Sequence, residues 1–108
     1  MRKESDNIKL LEPGETSFKR KVLVVEDNEL NRELLVSFLE EKFDVFSAEN
    51  GEEGLKLLSE HYRELSVVLL DICMPVCDGF EFLRRRNTDK FLSTIPVIVM
   101  TGSHSKDA

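Results

Sequence analysis

Three uninterrupted apolar runs, VLVV at 22–25, VVLL at 67–70 and PVIVM at 96–100, are too short for helices. They are also too evenly apolar for strands with one wet face. Runs of this kind read as strands buried on both sides, as in a parallel sheet sandwiched between helices. Between them the pattern changes period. Leu30, Leu34, Leu35, Phe38 and Leu39 recur at helical spacing behind Asn28, a good cap, with the acidic Glu29 in the first turn. A shorter strand is predicted at 43–48. Asn50-Gly51-Glu52-Glu53 has the form of a capping box opening a helix that carries Leu55, Leu57 and Leu58. Phe80, Phe82 and Leu83 begin a third helix after Asp78-Gly79. Pro96 heads the fourth strand, at a position that needs no ladder donor. Strand and helix alternate, so the expected fold is α/β, a doubly wound parallel sheet with helices on both faces.

Residues 1–20 are polar and unpatterned around Pro13-Gly14 and read as a tail or linker, with a short helix around 8–11 compatible with the sequence. The folded domain is placed at 21–108. A chain of 108 residues supports one core and not two. A net charge of −6 argues against a surface built to bind nucleic acid directly. No window approaches the roughly 18 apolar residues of a membrane span, and the N-terminus lacks the apolar stretch of a signal peptide, so the cytoplasm is the expected compartment. Cys73 and Cys77 lack His or Cys partners at ligand spacing and read as free thiols, not a zinc site. Arg84-Arg85-Arg86 falls near a helix C-terminus, where cations complement the dipole. His61 and His104 are expected in loops, solvated.

In a doubly wound sheet the ligand site lies beyond the carboxyl ends of the strands, where the strand order reverses. The first strand ends in Glu26-Asp27, the third in Asp71, the fourth in Thr101-Gly102-Ser103. Taken singly, these are ordinary caps and turns. Together they would bring three carboxylates and a hydroxyl into one shallow pocket. Carboxylates that close raise one another's pKa or require a cation, and an all-oxygen site of this size suits Mg²⁺. A carboxylate beside such a cation can attack a phosphoryl group.

The segments VLVVEDNELNRELL, AENGEEGL, VVLLDICMPVCDGFEFL and IPVIVMTG follow one another in the order and at the spacing of a known family. The chain resembles the receiver domain of two-component response regulators over nearly everything from Lys21 onward. The resemblance implies a flavodoxin-like receiver fold in which Asp71 takes a phosphoryl group from a partner histidine kinase's phosphohistidine. It implies Mg²⁺ held by Asp27, Asp71 and the backbone carbonyl of Cys73, with Glu26 acting through a water. Thr101 would contact a phosphoryl oxygen and move toward it as the switch. Met74, Gly102 and Ser103 would line the pocket, while Pro75 and Gly79 would shape the loop. Such a module is a phosphoacceptor that assists its own phosphorylation and dephosphorylation, not an enzyme in the usual sense. Its partners would be the kinase and an output domain or a second copy of the chain.

Two departures matter. The family's Lys after a fifth strand has no counterpart, because Lys106 follows Thr101 with no strand between them. The last helix, strand and helix of the family are also absent from the sequence, which predicts an open apolar edge at the fourth strand and suggests a fragment or completion in trans. A pseudo-receiver that works as a phosphorylation-independent interaction module is the alternative function. A hydrolase with an aspartyl nucleophile is a further rival, but such phosphatases carry a second Asp two residues on, where this chain has Cys73.

Overall fold

The computed structural model describes residues 19–72, 74 and 78–100. These form β1 (Arg20–Val25), α1 (Glu29–Leu39), β2 (Phe43–Ala48), α2 (Gly51–His61), β3 (Leu65–Asp71), α3 (Gly79–Asn87), a 3₁₀ turn (Leu92–Thr94) and β4 (Val97–Met100). The predicted tail and its short helix lie outside the described residues, apart from Lys19 and Arg20.

The four strands make one parallel sheet in the order β2-β1-β3-β4. The chain leaves β1 for β2 and then returns past β1 to β3. Right-handed crossovers in opposite directions place α1 on one face of the sheet and α2 on the other. Alternation along β1 serves both faces. Leu23 and Val25 join Ala48, Leu58, Val68, Leu70 and Phe82 in the buried cluster under α2 and α3, while Val22 and Val24, also buried, turn the other way.

Close packing of α2 on the sheet depends on Gly54, where a Cβ would sit 2.9 Å from Val25 Cγ2 and 3.2 Å from Phe82 Cε2. The caps follow the sequence closely. Asn28 Oδ1 accepts from the Asn31 N–H (2.9 Å), Asn50 Oδ1 from Glu53 (2.8 Å) and Asp78 Oδ1 from Glu81 (2.9 Å). Glu53 Oε1 accepts in turn from the Glu49 N–H at 2.8 Å, one residue before the cap that a capping box would serve.

Three elements differ from expectation. β3 begins at Leu65 and runs through Asp71, so the acid belongs to the strand and does not follow it. His61 is no loop residue: it closes α2, stacks on Phe46 with ring centroids 4.4 Å apart, and lies 2.8 Å from Glu64 Oε2. In α1 no residue is fully buried, and Leu30, Leu34 and Phe38 of its apolar repeat are exposed. Periodicity located the helix; of its five-residue stripe only Leu35 and Leu39 are half-buried. Among the described residues β4 pairs with β3 and with no other strand, and Ile98 and Val99 are exposed.

Candidate acidic site

The reversal of strand order lies between β1 and β3, and both strands end there in acids. Val25 pairs with Leu70 across the sheet, which carries Glu26 and Asp27 out beside Asp71. Carboxylate oxygens of Glu26, Asp27 and Asp71, one from each, lie within 4.8 Å of one another. Glu26 is 5% exposed and Asp71 1%, whereas Asp27 is partly open to solvent.

Hydrogen bonds fix the pocket from its backbone. The Glu26 N–H donates to the Ala48 carbonyl (3.0 Å), and the Ile72 N–H to the Met100 carbonyl (3.3 Å). Asn28 N–H donates to Glu26 Oε2 at 3.1 Å. Arg32, one turn into α1, donates from Nη1 to the carbonyl oxygens of Glu26 (3.0 Å) and Asp27 (3.4 Å). Sequence reasoning did not single out Arg32. It ties down the backbone of the acidic turn and leaves the carboxylates facing the pocket.

Electrostatics reports the crowding. The Glu26 carboxyl is pushed up to about 7, first by burial, then by a hydrogen bond to Asp71 and the charges of Asp71 and Asp27; the Asn28 N–H works against the shift. An uncharged Glu26 can share its proton with Asp71, or a cation can replace that proton. Three oxygen donors, two of them nearly dry, suit a hard divalent ion of the size of Mg²⁺.

The start of α3 presses against this strand end. A Cβ on Gly79 would lie 2.5 Å from Ile72 Cα, 2.8 Å from Ile72 Cδ1 and 3.1 Å from the Asp71 carbonyl oxygen. Backbone cannot yield there as a flexible side chain could. Gly79→Ala is therefore expected to cost about 1–3 kcal/mol in denaturant unfolding, as overpacking does, and to displace the end of β3. Unfolding at the parent's midpoint would contradict this.

Of the other residues expected at the site, Met74 is buried and its side chain packs into the hydrophobic cluster. Cys73, Pro75, Thr101, Gly102 and Ser103 lie outside the described residues, as do Cys77, His104 and Lys106.

The chain matches the response regulator receiver domain family over residues 22–108. It is 36% identical over 84 residues to the polar-differentiation response regulator DivK of Brucella ovis, covering 77% of this chain and 67% of DivK. Among the curated relatives it matches, this chain spans as little as 39% of their length. Vibrio cholerae chemotaxis protein CheY4 superposes with a TM-score of 0.72 at 27% identity, over 82% of this chain and 72% of that one. The receiver domain of Saccharomyces cerevisiae Ssk1, solved with the histidine phosphotransfer protein Ypd1, gives 0.69 at 28% identity over 81% and 66%.

Proposed function

Since this chain belongs to the response regulator receiver domain family, we propose that it accepts a phosphoryl group on Asp71 from the phosphohistidine of a histidine kinase or phosphotransfer partner. The observation that carries the reading is the meeting of Glu26, Asp27 and Asp71 at the reversal of strand order. In the transfer, an Asp71 carboxylate oxygen forms a bond to phosphorus while the phosphorus–nitrogen bond breaks, and the departing imidazole keeps that electron pair. Asp27, Asp71 and the Cys73 carbonyl would hold Mg²⁺, with Glu26 acting through a water. The ion, when bound, neutralises charge on the transferring oxygens. Thr101 would donate its hydroxyl to one of those oxygens, and Gly102 and Ser103 would border the acyl phosphate. The stretch before β1 would serve as a tail or linker to the domain, with Arg20 already paired in the sheet.

The Ypd1 complex of a related receiver supports a phosphotransfer protein as the partner class. The acidic cluster favours this reading over a phosphorylation-independent module, which has no need of three converging carboxylates. No helix among the described residues is long and apolar enough to cross a membrane; a cytoplasmic site of action fits a kinase-coupled module. The test is incubation of the natural protein carrying this domain with Mg²⁺ and a small acyl-phosphate donor, followed by intact-mass measurement. A gain of one phosphoryl group, abolished by chelation and labile to base, is expected. No gain in the presence of Mg²⁺ overturns the proposal.

A further inference from the structure

The register of β4 is poorly specified by its own sequence. Val97, Ile98, Val99 and Met100 are apolar at every position, and none is buried. Val97 packs against the core and Met100 is half-buried, so a slip by one residue costs that partial burial, although another apolar residue of the run would take each place. β4 is four residues long, pairs with β3 and with no other strand among the described residues, and runs Val68↔Val97, Leu69↔Ile98, Leu70↔Val99, Asp71↔Met100. Its carboxyl end is thus set directly against Asp71, and a slip would move it by about 3.3 Å.

Arg86 reaches the segment just before the strand. Arg84 and Arg85 spend their guanidinium groups on acids: both bond Glu81, and Arg85 also reaches Glu52 at 2.8 Å. Arg86 instead leaves the end of α3 and donates from Nη2 to the carbonyl oxygens of Ser93 (3.0 Å) and Ile95 (2.6 Å), while Nη1 donates to Asn87 Oδ1 (2.6 Å). A residue there only to complement the helix dipole would stop at the last turn. The gripped carbonyls lie one and three residues before Pro96, whose own carbonyl accepts from the Val68 N–H at 2.9 Å. The connection they belong to is rigid: Asp89 Oδ1 accepts from the N–H groups of Phe91 and Leu92, and Leu92 and Ile95 are buried.

We propose that Arg86 is a positioning residue: by gripping the Ser93 and Ile95 carbonyls it fixes the register of β4 on β3, and so where β4 ends beside Asp71. The consequence for phosphoryl transfer rests on the function proposed above, through Thr101, the next residue in the chain; the register does not. Glu26 and Asp27 follow β1 and Asp71 ends β3, so none of the three carboxylates stands on β4.

Amide exchange in the natural protein reads the register at both ends of β4, through the Val68 N–H and the Ile72 N–H, which donate to Pro96 and Met100. In Arg86→Ala, exchange at Ile72 should quicken about tenfold or more while the Glu26 N–H, which reports β1 against β2, keeps its protection. Mg²⁺ affinity should stay within about twofold of the parent while acyl-phosphate uptake falls about tenfold, and Arg86→Lys, which keeps one cationic donor, should recover part of both losses. Parent-like protection at Ile72 overturns the proposal. So does a loss spread equally over Glu26 and Ile72, or a fall in Mg²⁺ binding in step with uptake, because either describes general destabilisation. If Arg86→Ala does not fold, Arg86→Gln is measured the same way, and parent-like protection at Ile72 again overturns the proposal. If the parent itself takes up no phosphoryl group, the functional reading fails and the exchange data still decide the role of Arg86.

Discussion

Asp71→Asn is expected to take up no phosphoryl group and, in the absence of metal, to unfold at a higher temperature than the parent at pH 8. The first effect follows because an amide offers no carboxylate oxygen to bond phosphorus. The second follows from the crowding of Glu26, Asp27 and Asp71, whose oxygens lie within 4.8 Å of one another in a pocket where Asp71 is 1% exposed. Replacing one buried carboxylate by an amide removes its desolvation cost and its repulsion of the other two. The amide also offers Glu26 a hydrogen-bond donor. A gain on the order of 1–3 kcal/mol is expected, or several degrees in melting temperature for a domain of this size. At pH 5 the gain should shrink, because Glu26 is then protonated and the repulsion is already relieved. Melting curves of the two proteins at both pH values provide the check. An Asp71→Asn protein less stable than the parent at pH 8 would sink this account of the pocket.

The second large effect is a loss of stability in the metal-free domain as the pH rises. Glu26 has a folded pKa of about 7 against an ordinary value of 4.5. The folded state therefore binds the proton more tightly than the unfolded chain does. The stabilising contribution of that proton is fully present below about 4.5 and is lost as the pH climbs through about 7. At about 1.4 kcal/mol per pH unit, the loss amounts to at most about 3.5 kcal/mol. Glu26→Gln should flatten the profile over this window. Mg²⁺ must displace the same proton, so its apparent affinity should rise with pH up to about 7 and then level off. Thermal shifts with Mg²⁺ at pH 6 and pH 8 measure this directly. Equal affinities at the two values would show that the Glu26 proton is not coupled to the metal site.

Much of the fold was legible because its signals are local. Asn28 and Asn50 stand where caps were expected, and both accept the hydrogen bond a cap accepts. The runs around 22–25 and 67–70 are strands because β-branched and leucine side chains fill the buried centre of the sheet, whereas 97–100 pairs with β3 and leaves Ile98 and Val99 exposed. Boundaries were less legible. Asp71 is paired within β3 and so extends the strand beyond the apolar run, since backbone pairing with Met100 does not depend on the polarity of the side chain. The acidic pair and Asp71 could be picked out as strand-end residues, and the family resemblance gave them roles.

The sequence by itself determined the period of each segment, where helices begin, and that acids follow or end two of the buried strands. These properties are written within a few neighbouring residues. Only the tertiary structure decided which strands lie side by side. That order brings Glu26 to Asp71 across 44 intervening positions and raises its pKa through burial that neither segment possesses alone. The same holds for Arg32 on the acidic turn, His61 on Phe46, and Arg86 on the carbonyls before β4. Each of those contacts depends on the direction in which a helix or strand carries its side chains, and that direction is set by how the layers pack against one another.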